Sequence, residues 1–169
     1  MIYRGSVMME NLEIGEMKVV ETKEVAKLLT SLVAYIIENT DDDYFACAEI
    51  NECADNDRIV SFVGNVHKRI FVARDNNKII GFIAGSIQDC FLPISSIKKV
   101  GYIDAAFVAE NYRGHGVLKR LETEMTGFFK ARGIKYAELD YIYSNVTARE
   151  AWSKMGYDGF RIRARKKLS

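Results

Sequence analysis

Arg113, Gly114, His115 and Gly116 form the short string whose residue types and spacing best suit anion binding. An apolar, strand-like segment, residues 100–108, precedes it. After it Val117, Leu118, Leu121, Met125, Phe128 and Phe129 recur at helical spacing. The string therefore stands where a strand ends and a helix begins. A helix start leaves main-chain N–H groups unpaired and carries the positive end of the helix dipole. Glycine at 114 and 116 removes the Cβ atoms that would hold an anion off those amides. Arg113 adds a forked cation suited to phosphate. Two readings fit these residues: a pyrophosphate cradle, or a tight turn that merely opens a helix.

Asp104 is the second chemical signal. A carboxylate inside an apolar strand is costly unless it is paired or has work to do. It is either functional or a buried aspartate satisfied by main-chain or tyrosine donors. Strict alternation would put Tyr102, Asp104, Ala106 and Val108 on one face of that strand and Ile103, Ala105 and Phe107 on the other. Glu110 reads as an exposed turn residue. A third signal is acidic: Asp41, Asp42, Asp43, Glu49, Glu52, Asp55 and Asp57 cluster, with no Lys or Arg between Lys27 and Arg58. That stretch is a solvated loop between helices or a wall that draws in a cation, with Tyr44 and Phe45 offering aromatic faces to an ammonium.

The elements that must position these groups follow from periodicity. Residues 12–19 read as a strand. Residues 21–37 form a helix with Val25, Leu28, Leu29, Leu32, Val33 and Ile36 on one face. Residues 58–66 read as a short helix. Residues 70–73 and 79–87 make two strands joined by a turn at residues 75–78, and residues 91–98 form a loop. Gly133 ends the helix that follows Gly116. Residues 136–143 return as a strand, with Ala137, Leu139, Tyr141 and Tyr143 sharing a face. Thr147 and Glu150 have capping-box spacing for a last helix. Residues 160–168 alternate Phe160, Ile162 and Ala164 with Arg161, Arg163 and Arg165, as a half-buried edge strand with a basic outer face would.

With 169 residues the chain suits one domain with one core, expected over residues 11–169 behind a flexible segment at 1–10. A formal net charge of +1 gives no overall pull towards nucleic acid or anionic membrane. The basic tail is a weak exception that would predict steep salt dependence. Cys47, Cys53 and Cys90 lack metal or redox spacing, and His67 and His115 have no Cys or His neighbours in sequence, so no metal is expected. Without a signal-peptide pattern or a membrane-length apolar run, the expected compartment is the cytoplasm.

Val108, Arg113 and Gly116 also fall on the central motif of the GNAT superfamily of acetyl-CoA-dependent N-acetyltransferases, with Leu118 where a small residue is usual. Asn145, Ala148, Trp152, Gly156 and Tyr157 fall on its second motif. The chain resembles that family clearly over residues 100–168 and loosely before. The resemblance implies an α/β (α+β) single domain: a mixed, mainly antiparallel central sheet flanked by helices, with its central strands splayed apart. It implies acetyl-CoA as co-substrate, its diphosphate held by Arg113, Gly114, His115, Gly116, Val117 and Leu118. Its pantetheine would lie along Phe107 and Val108 and be held by Asn145, with Trp152 on the adjoining helix. Asp104 stands four residues before the motif valine, where several amine-acetylating relatives carry a carboxylate, and is the candidate base. Trp152 replaces a tyrosine that many relatives use as acid, and an indole cannot fill that role. Departure of CoA as a thiolate is the favoured alternative, with Tyr141, Tyr143 and Tyr157 as other candidates. The activity implied is acetyl transfer to a primary amine, of a small molecule or a peptide, by direct attack in a ternary complex. A reading from another class is an acyl-CoA-binding module without turnover. Neither nucleic acid nor membrane is an expected partner, and a homodimer through the C-terminal edge strand is compatible with the family.

Overall fold

The computed structural model describes residues 11–40, 43–46 and 51–168. The segment at 1–10, together with Asp41, Asp42, Cys47 and Glu49, lies outside the described residues. For Asp43 and Glu52 only the main chain is described.

The elements run β1 (Leu12–Glu16), α1 (Thr22–Asn39), α2 (Asp43–Ala46), α3 (Glu52–Val60), β2 (Lys68–Asp75), β3 (Lys78–Asp89), β4 (Lys99–Val108), α4 (Val117–Lys130), β5 (Ala137–Leu139) and α5 (Val146–Lys154). The strands form one sheet in sequence order, antiparallel except where β4 meets β5 in parallel. Asn76 and Asn77 carry positive φ at 49° and 66°, the backbone that a tight two-residue hairpin demands between β2 and β3.

Both sheet faces are covered, which is why central β3 is apolar almost throughout. On one face Val25, Ala26 and Leu29 of α1 and Ile59 of α3 pack on Ile70, Val72, Phe82 and Ala84. On the other, Val117, Leu121, Met125, Phe128 and Phe129 recur at helical spacing along α4 and meet Ile83, Ile103, Val108 and Trp152. Close approach of α4 requires glycine beneath it: a Cβ on Gly101 would stand 2.4 Å from the Phe129 ring, and one on Gly85 2.6 Å from the Met125 sulfur.

Several sequence expectations need correction. The short helix expected at 58–66 is α3, which begins earlier and is followed by turns. Its N-cap is Asn51, whose side chain accepts from the Ala54 amide. The strand expected at 136–143 pairs only over Ala137–Leu139. Residues 160–168 form no strand: they are exposed throughout, Ile162 at 94%. Alternation makes a strand only where a neighbour pairs its backbone and a core covers one face, and among the described residues no strand pairs with this tail. It rests on side chains, with the Phe160 ring 5.9 Å from that of Phe91, Arg161 4.5 Å above Phe91, and Arg165 4.8 Å above Tyr44.

Candidate active site

The site begins where the sheet opens. Strand β4 is paired with β3 from end to end, but with β5 only at Gly101, Tyr102 and Ile103, opposite Ala137, Glu138 and Leu139. Past that point the β5 side of β4, including Phe107 and Val108, has no ladder partner among the described residues. Main-chain groups on that edge can pair with a bound chain as a further strand would. The Phe107 ring belongs to the α1 face and Val108 to the α4 core.

Beyond Val108 a 3-10 turn, Glu110–Tyr112, leads to the glycine loop. Gly114 and Gly116 take left-handed φ, +83° and +77°, and a Cβ on either would meet nothing within 4 Å. Backbone conformation, rather than crowding, is therefore what calls for glycine at both places. Gly116 caps α4 without a side-chain bond, and the first helical bond runs from the Arg120 amide to the Gly116 carbonyl at 3.1 Å. Among the described residues the N–H groups of 114 to 119 have no partner. They sit at the positive end of a helix of 14 residues. His115 is exposed, the Val117 side chain is core, and Leu118 is half-buried against the α4 cluster. The Arg113 Nε donates to the Val108 carbonyl at 2.9 Å, and its guanidinium lies 5.0 Å from the Tyr35 ring and 5.5 Å from the Phe107 ring.

Asp104 occupies a β-bulge. Ala84 pairs with Ala105 and Gly85 with Ile103, so Asp104 has no partner on β3. Strict alternation therefore fails there: Ile103, Ala106 and Val108 pack towards α4, while Ala105 and Phe107 pack towards α1. The Gln88 amide donates to Asp104 Oδ1 at 3.4 Å and to Ser86 Oγ at 2.9 Å, whereas buried Oδ2 has no hydrogen-bond partner among the described residues. Burial pushes the carboxyl above its ordinary range, against the opposing pull of Ser86 and of the Arg58 and Lys68 charges. At the fork itself the Tyr102 hydroxyl donates to Asp140 Oδ2 at 2.8 Å, joining β4 to the chain just past β5. Burial first, and the Asp140 carboxylate second, push this phenol up to about 12. Sequence reasoning gave Tyr102 and Asp140 no role. The only signal was an acid near the end of a strand, and the bridge depends on where the strands part.

Asn145 stands at the start of α5, where its Oδ1 accepts from the Ala148 amide at 3.0 Å. Asn145, rather than a Thr147–Glu150 box, thus caps the helix, while its Nδ2 donors have no partner among the described residues. Trp152 is buried at 7% exposure, edge-on to Tyr157 at 5.4 Å. The Tyr157 hydroxyl donates to Glu122 at 3.0 Å, and burial, reinforced by that carboxylate, raises its pKa. Tyr143 is 87% exposed. Of the acidic stretch, Asp55 accepts from Thr30 of α1 at 2.8 Å, a tie between helices. The Tyr44 ring suggested for an acceptor ammonium carries Arg165. Among the described residues no group of His, Cys, Asp and Glu could hold a metal ion, and no helix is long and apolar enough to cross a membrane.

Residues 29–157 match the family model described as the acetyltransferase (GNAT) family. No curated protein matches the chain in sequence. Among solved structures, the aminoglycoside N-acetyltransferase AAC(6')-Iy, in complex with a CoA bisubstrate analogue, is similar at TM-score 0.76 and 17% identity, covering 95% of this chain and 100% of its own. The BH1408 protein from Bacillus halodurans is similar at TM-score 0.81 and 22% identity, over 93% and 99%. The aminoglycoside 6'-N-acetyltransferase AAC(6')-IG from Acinetobacter haemolyticus is similar at 0.71 and 14%, over 93% and 99%.

Proposed function

The chain belongs to the GNAT family of acetyltransferases, and from that premise we propose that it transfers an acetyl group from acetyl-CoA to a primary amine of a small molecule or peptide. One observation carries this reading: an uncapped run of main-chain donors at residues 114–119 lies directly after the strand whose edge opens at the fork. In this reading those amides, with the charge of Arg113, hold the diphosphate. The open edge at Phe107 and Val108, with the Asn145 amide, holds the pantetheine, and Trp152 flanks the thioester. The CoA complexes of AAC(6')-Iy support this use of the fold, and the aminoglycoside relatives favour a small amine as acceptor.

Holding both reactants in one cleft can supply about 7–11 kcal/mol of the barrier. The acceptor must also lose a proton. An alkylamine of pKa ~10.4 is more than three units too protonated at pH 7, a penalty of roughly 4–5 kcal/mol. Asp104, directly or through water, takes that proton, and its raised pKa makes it a better base than an ordinary carboxylate. The amine nitrogen bonds to the acetyl carbon, the carbon–sulfur bond breaks, and CoA departs as thiolate, tolerable for a thiol of pKa near 8.5. No general acid is assigned: Trp152 has no suitable proton, and the Tyr157 hydroxyl is engaged with Glu122.

Acetyl-CoA should raise the melting temperature of the purified protein, and a thiol reagent should detect CoA release with at least one amine among polyamines, amino acids, aminoglycosides and peptides. Absence of thermal protection would remove the proposal. Protection without release across the whole panel would point instead to an acyl-CoA-binding module, a reading to which Leu118 and Trp152 lend weight as departures from the family pattern.

A further inference from the structure

We infer that Tyr35, on α1, is a positioning residue for the diphosphate loop: with Phe107 it clamps the Arg113 guanidinium and so sets the turn that aims the amides of residues 114–119. This rests on the reading of that loop as the acetyl-CoA site. The loop has few internal anchors. One is the bond from Arg113 Nε to the Val108 carbonyl, which closes the 3-10 turn across five residues. A single bond leaves the guanidinium free to swing about it. Contact with two aromatic rings, Tyr35 at 5.0 Å and Phe107 at 5.5 Å, takes that freedom away. No carboxylate pairs with Arg113 among the described residues, so no ion pair neutralises its charge. The next residue, Gly114, turns into left-handed backbone, and the direction of the donors after it follows from where Arg113 is held. Phe107 belongs to the strand leading into the loop. Tyr35 does not: it comes from the helix on the opposite sheet face from α4, and it is half-buried. Acetyl-CoA affinity thereby depends on a helix far from the loop in sequence.

The test is isothermal titration of acetyl-CoA into the wild-type protein and into Tyr35→Phe, Tyr35→Leu and Tyr35→Ala. Phenylalanine keeps the ring and should hold Kd within about twofold, whereas leucine and alanine should weaken binding by about 3- to 30-fold, the range spanned by cation–π contacts. Leucine keeps the apolar bulk, so its result stands even if alanine compromises folding. The melting temperature without ligand separates the roles: a purely structural Tyr35 lowers it in the leucine variant and leaves Kd unchanged, which would overturn the inference. Phenylalanine binding as weakly as leucine would overturn it too. A wild-type protein that does not bind acetyl-CoA removes the underlying reading of the loop; wild-type binding matched by Tyr35→Leu removes only the role of Tyr35.

Discussion

Asp104 shows how one residue can be legible in type and obscure in placement. Its rarity in an apolar strand marked it. The bulge that leaves it unpaired, with Oδ2 buried and unbonded, depends on how β3 and β4 come into register, which a strand pattern does not encode. In the proposed mechanism Asp104 is the base, and it must be ionised to act. Burial raises its pKa, so activity is lost on acidification through a limb lying above the ordinary carboxylate value of about 3.9. Asp104→Asn should lower kcat/KM by about 10²- to 10⁴-fold and abolish that limb, with acetyl-CoA affinity unchanged by titration. Retained activity in this variant would remove Asp104 from the mechanism. Asn145 carries the opposite lesson. Cap and ligand roles both suit an asparagine before a helix; its carbonyl oxygen caps, while its amide donors have no partner among the described residues and are the ones the proposed function gives to the pantetheine.

At the scale of elements, helices α1 and α4 were readable because each has an apolar stripe with a helical repeat that tertiary packing then used. The strand after α4 and the C-terminal tail were not, because alternation records what a segment can do and only a neighbour makes it a strand. The β5 ladder stops at Leu139, where β4 and β5 cease to pair, and among the described residues the tail has no strand beside it. Packing of α4 across the sheet rests on glycines that sequence could only mark as unusual. Gly101→Ala should destabilise the protein by about 1–3 kcal/mol, since a Cβ 2.4 Å from the Phe129 ring forces the helix or ring to move. Chemical denaturation would measure this, and a neutral result would mean that α4 adjusts freely.

The molecule as a whole is a sheet between two helical layers, fastened where β2 meets the entry to α1. Arg74 binds Glu21 through two bonds of 2.7 Å, and both side chains are largely buried. Burial alone would raise the Glu21 pKa; the Arg74 bond, the Lys18 amide and the attendant charges outweigh it and hold the carboxyl below its usual value. The folded pKa is thus depressed, so this stabilisation is present above the unfolded value and lost as pH falls through the folded one. Glu21→Gln should cost about 1.5–3 kcal/mol at pH 7, as expected for charged hydrogen bonds, and the penalty should shrink in melts recorded below pH 4.

The bulge carries a consequence for variation in chain length. Excising a residue from a paired strand normally turns every later side chain to the wrong side of the sheet. Removing Asp104 would instead let Ile103 and Ala105 follow each other in strict alternation, each still facing its present core. In a library of single-codon losses across β4, this clone should yield soluble, folded protein that no longer acetylates, while losses elsewhere along the strand fail to fold. The irregularity would then be something this sheet could shed and the chemistry could not.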